Sequence, residues 1–110
     1  MLEGLFNKIK ILKERIAQIY YWISERIELH EELMDEFRFE IGESERLREC
    51  MLKDYDESER EIGSLKKEMR LEKLKFWKDI TELKRELEKC LEEYKTEKEK
   101  MEAMDGGIDK

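Results

Sequence analysis

LEGLFNKIKILKERIAQIYYWISERIELHEELMDEFRFEI, residues 2–41, decides the fold. Leu2, Leu5, Ile9, Leu12, Ile16, Ile19 and Ile23 follow one another at alternating steps of three and four. Such steps bring side chains onto one stripe of an α-helix, and a stripe this regular is a heptad seam. Position a falls on Leu2, Ile9, Ile16 and Ile23, and position d on Leu5, Leu12 and Ile19. The pattern then predicts a step of four to Ile27 and a continuation through His30, Met34, Phe37 and Ile41. A repeated step of four is a stutter, which relaxes the left-handed supercoil.

A second seam runs from 62 to 94. Ile62, Met69, Phe76, Leu83 and Cys90 recur every seven residues, and Ile80, Leu87 and Tyr94 occupy the other inward position. Before residue 80 that position reads as Lys66 and Lys73, which predicts looser coiling there. Between the seams, residues 42–61 are poor in apolar groups.

Composition agrees with long helices. The chain has 110 residues, 48% of them charged, and no proline. Such a charged, proline-free composition marks a long helix or coiled coil. Hairpin turns of a β-protein need Gly, Pro, Asn or Asp at short intervals, and here five glycines and Asn7 are almost all there is beside the aspartates. The abundance of Glu, Lys and Arg also has a thermophilic cast.

Two places are candidates for reversing the chain: Gly42, and Asp54 to Ser58. Ser58-Glu59-Arg60-Glu61 has the spacing of a capping box. Charge decides between them. Residues 1–27 carry net +2 (five basic, three acidic), 28–61 net −9 (five and fourteen), 62–89 net +3 (nine and six), and 90–110 net −3 (four and seven). A turn near 55 sets blocks of opposite sign against each other, whereas a turn at Gly42 opposes like charges. The expectation is one all-α domain over 1–104, a long antiparallel coiled-coil hairpin associating into a four-helix bundle. Its first arm is 2–53, its turn 54–57, its second arm 58–103, and 105–110 form a flexible tail. Gly42 becomes a kink or short break within the first arm.

Chemistry is sparse. His30 is the only histidine, and no carboxylate lies three or four residues from it on its own helix, as a carboxylate-bridged metal site in a helical bundle requires. Glu28, Glu31, Glu32 and Asp35 put acids on adjacent turns, half of what a magnesium-dependent all-α nucleotide hydrolase uses. No matching Glu-x-x-Asp follows, so the cluster reads as a solvated acidic face. There is no phosphate loop, no zinc spacing from Cys50 and Cys90 alone, and no nucleophile motif. No catalytic residue, cofactor or metal is expected.

The net charge of −7 disfavours nucleic acid as a partner. No apolar run approaches the length that spans a bilayer, and no secretory leader is read at the N-terminus. With two cysteines outside any disulfide framework, a cytoplasmic location is expected. Residues 1–27 form a basic amphipathic helix with Phe6, Tyr20, Tyr21 and Trp22, compatible with a membrane surface. The strict three-four seam is better explained by helix packing. The first arm carries a further apolar row, Phe6, Tyr20, Ile27, Met34 and Ile41, interrupted by Lys13, while the corresponding row of the second arm reads Arg70, Lys84 and Lys98. That row is the expected interaction surface. The expected function is a non-enzymatic oligomerising scaffold or protein–protein adaptor, with a homodimer, a higher homo-oligomer or another helical protein as partner. The alternatives are the small metal-dependent hydrolase and a peripheral membrane-surface protein. If the acids are only a solvated face, melting temperature is insensitive to millimolar Mg²⁺ in the parent and in Glu32→Gln/Asp35→Asn alike. A rise of several degrees with Mg²⁺ or Mn²⁺ that the double variant loses favours the hydrolase.

Overall fold

Each apolar stripe must be covered by another, and the two stripes of this chain cover each other. The computed structural model describes Leu2–Ile108 as two helices, α1 (Leu2–Glu49) and α2 (Tyr55–Ile108), packed as an antiparallel hairpin. Among the described residues there is no strand.

The reversal lies at 50–54, a few residues before the expected 54–57. Its chemistry explains the shift. The Met51 N–H donates to the Arg48 carbonyl at 3.1 Å and the Leu52 N–H to the Leu47 carbonyl at 2.9 Å, with Met51 at φ 58°. Those two bonds around a left-handed residue make a Schellman stop, which satisfies the last carbonyls of α1. The usual occupant is glycine, so the sequence offered no flag at methionine. On the far side, the Ser58 N–H donates to the Asp54 carbonyl at 3.0 Å as α2 begins. Asp54 therefore stands at the helix entry, with Asp56 and Glu57 against the positive end of the helix. Ser58 is not a cap. It sits a turn inside, fully buried, with its hydroxyl unpartnered. Glu61 turns away from Ser58, accepting from the Ser44 hydroxyl at 3.1 Å and from the Lys53 ammonium.

Two further expectations are corrected. α1 runs through Gly42 without a break, because one exposed glycine costs a long, well-packed helix too little to interrupt it. α2 continues through Gly106 and Gly107 to Ile108, so helix covers the first four residues of the expected tail, and 109–110 lie outside the described residues.

Packing divides into two compact units. One joins the chain up to Ser24 with the chain from Ile80. Its core is Ile19, Leu87 and Cys90, with Ile16 and Ile23 packed against them and Ile9 and Leu12 also buried. The other spans Glu25–Asp79 and buries Met34 and Ile62 beside Ser44 and Ser58.

The stutter is present but displaced. Arg26, not Ile27, turns inward after Ile23, and the next inward residues are His30 and Met34, two steps of four in succession. On α2, Leu65 and Glu72 are turned inward, while Lys66 and Lys73 are exposed. The inward sequence there is Ile62, Leu65, Met69, Glu72, Phe76 and then Ile80, again two steps of four in succession.

Two substitutions test the connection and the helix it follows. Space around the Gly42 Cβ position is open. Gly42→Ala is expected to stabilise the fold by about 1 kcal/mol in urea unfolding. Met51 is 92% exposed, so shortening it loses no packing. Met51→Gly is expected to add about 0.5–1 kcal/mol, the left-handed penalty less the extra chain entropy of glycine. A destabilising Met51→Gly would contradict the Schellman geometry.

Candidate functional site: a polar seam and an exposed face

The Glu25–Asp79 unit contains the one dense cluster of polar side chains turned into a helical seam among the described residues. Arg26 comes from α1, and its guanidinium donates from Nε to Asp79 at 3.0 Å and from Nη2 to Glu72 at 2.8 Å. It lies over the Phe76 ring, 5.3 Å from the centroid, and its Nη1 is buried without a partner. One turn on, His30 stacks on the same ring at 3.9 Å with the planes 8° apart. Its Nδ1 is 3.1 Å from the Glu72 carboxylate. An ionised carboxylate only accepts, so Nδ1 carries the hydrogen. The side chains of Arg26 and Glu72 are 13% and 11% exposed.

Electrostatics holds this cluster charged. Burial opposes ionisation of Glu72, but the bonds from Arg26 and His30 outweigh it and leave its carboxyl below the ordinary 4.5. Burial likewise opposes the Arg26 cation, and the bonds to Glu72 and Asp79 reverse the balance and raise its pKa. The chemistry available is structural: charges with fixed partners at the point where the seam changes phase. Each of the five residues is engaged by another of the group. Sequence reading sought a carboxylate for His30 on its own helix and missed one on the opposite arm. The available signal was Glu72 and Asp79, seven residues apart and facing a seam that α1 interrupts with Arg26 and His30.

The acids Glu28, Glu31, Glu32 and Asp35 are all exposed. Among the described residues no group of three or more His, Cys, Asp or Glu is gathered so as to hold a metal ion. In the other unit a groove of about 750 Å³ runs past Lys8, Arg15, Glu86, Cys90 and Glu97. Arg15 is already bound to Glu86 at 2.6 Å, and cations and anions alternate along the groove. Cys50 and Cys90 are both free thiols, the first exposed and the second buried.

The expected interaction row is only partly a surface. Phe6 and Tyr20 are exposed in the first unit, and Ile27 is 38% exposed in the second. Met34, at 3%, belongs to the core, and Ile41 is half-buried. Met34 also stands in the seam continuation read from the sequence, four residues after His30, and it is the seam that claims it. The matching row of α2 is not wholly basic but alternates, since Trp77 and Leu91 stand between Arg70, Lys84 and Lys98. Trp77 is 73% exposed. Among the described residues no helix is long and apolar enough to cross a membrane. No protein-family model, curated protein or solved structure matches the chain.

The polar seam has a measurable signature. Glu72 ionises more easily folded than unfolded, so its contribution to stability is present above pH 4.5 and disappears as the pH falls through the depressed folded value. Glu72→Gln is expected to flatten the loss of stability below that pH in a melting series. Glu72→Ala leaves the Arg26 cation with Asp79 alone and takes the carboxylate from His30, and is expected to cost about 1–3 kcal/mol at neutral pH.

Proposed function

We propose that this chain is a non-enzymatic coiled-coil scaffold or adaptor that works by presenting one face of its hairpin to another helical protein or to further copies of itself. The observation that carries the reading is the exposure of large apolar side chains along rows that also hold charge. Phe6, Tyr20 and Ile27 lie on α1, and Trp77 and Leu91 on one row of α2. A single exposed leucine needs no explanation, but aromatic and branched side chains repeated at seven- and fourteen-residue spacing are what a helix shows when it has a second neighbour. The polar seam supports the same reading, because buried charges at one level of a coiled coil fix register and orientation and thereby hold such a face in one place. The absence of any acid cluster gathered for a metal among the described residues weighs against the hydrolase alternative. A four-helix bundle is the assembly this width of apolar stripe fits, and the two free thiols suit a cytoplasmic setting.

Tyr20→Glu combined with Ile27→Glu tests the reading. The double variant is expected to lose association in sedimentation equilibrium while keeping its helix content. Undiminished association in the variant places the binding face elsewhere.

A further inference from the structure

One face of the Glu25–Asp79 unit carries opposite charge on its two edges. On α1, Glu31, Met34, Asp35 and Arg38 border one shallow hollow together with His30. Arg38 and Glu45 in turn line a groove of about 410 Å³ with Lys66, Arg70 and Lys73 of α2. These shared linings put Glu31 and Asp35 on the same side of the hairpin as Lys66, Arg70 and Lys73. Helical spacing adds Ile27, four residues before Glu31, and Trp77, seven after Arg70. The face therefore has an acidic edge on α1, a basic edge on α2, and an exposed apolar residue on each. Arg38, the cation on the acidic edge, is held by Asp35 at 3.2 Å. Glu31, Lys66, Arg70 and Lys73 have no ion-pair partner among the described residues, and the ion pairs that do join the arms in this unit use Arg26, Arg48 and Lys53.

Such a face is complementary to itself. A two-fold axis parallel to the helices exchanges the edges, laying α1 of one copy on α2 of the other, antiparallel and with levels preserved. The levels follow from contacts within the chain: Arg26 meets Asp79, and His30 meets Phe76 and Glu72. Ile27 thus shares a level with Trp77, Glu31 with Lys73, and Asp35 with Arg70. Resting on the adaptor reading above, we infer that the occupant of this face is a second copy of the chain, docked about that axis. Ile27 of each copy then covers Trp77 of the other, and Glu31 of each pairs with Lys73 of the other. This differs from a bundle with both first arms at its centre, which sets acid against acid.

Complementary charge reversal tests the arrangement. Arg70→Glu/Lys73→Glu makes both edges acidic, and Glu31→Lys/Asp35→Lys makes both basic. The parent is expected to dimerise at tens of micromolar in sedimentation equilibrium. Each variant alone is expected to associate at least roughly tenfold more weakly, and an equimolar mixture to recover the dimer as a heterodimer. A heterodimer in the mixture cannot come from loss of folding in either component. Variants that dimerise alone as well as the parent, or a mixture that stays monomeric, overturn the inference and leave the adaptor reading standing. A monomeric parent overturns it too and directs the adaptor reading to a foreign partner. The face named for the adaptor reading stands or falls separately, with the Tyr20 and Ile27 variant.

Discussion

Arg26 cannot leave the seam without taking its guanidinium from both Glu72 and Asp79, and that constraint organises the Glu25–Asp79 unit around it. A guanidinium presents its donors in a rigid fork, so two carboxylates seven residues apart on α2 fix both the rotation of α1 and its height along α2. Apolar seams alone tolerate sliding by a heptad, since one leucine or isoleucine fills much the same hole as the next. A buried charge with two named acceptors does not tolerate it. The stutters of both helices fall at this cluster, where inward residues take two steps of four in succession.

That explains which parts of the fold were legible. The strict three-four rhythm of residues 2–23 announced a long helix and its buried side, and Ile9, Leu12 and Ile19 are buried. Antiparallel pairing was read from the signs of the charge blocks. What could not be read was the exchange of inward duty from Ile27 to Arg26. Hydrophobicity ranks isoleucine ahead of arginine at any buried position, and only partners on another helix reverse the order. The same blindness put Lys73 in the seam in place of Glu72, whereas Met34, read both in the seam and in the outer row, belongs to the seam. The stop at Met51 was hidden for a different reason: its signal is a backbone angle that methionine rarely adopts.

Charge gave a correct hairpin through an argument the contacts do not follow. Summed blocks opposed the acidic middle of the chain to basic 62–89. The cross-arm ion pairs run the other way, from Arg15, Arg26 and Arg48 of α1 to Glu86, Glu72, Asp79 and Glu59 of α2. Within the Glu25–Asp79 unit, Glu72 and Asp79 turn toward Arg26 on one side of α2, and Lys66, Arg70 and Lys73 are left on the other side. Net charge along a sequence thus conceals a sorting around the helix, and that sorting shapes what the surface can meet.

The left-handed Met51 has a consequence for topology. Closing α1 back on α2 forces a side-chain-bearing residue into a conformation that disfavours the reversal by about 1–2 kcal/mol. If residues 50–54 instead continued as helix, two chains would run past each other and offer the same seams in exchange, with that strain relieved. The heptad seams of α1 and α2 would pair in either topology. The balance between a chain folded on itself and two chains trading arms would then depend on five connecting residues and on protein concentration, and glycine at position 51 would favour the closed form.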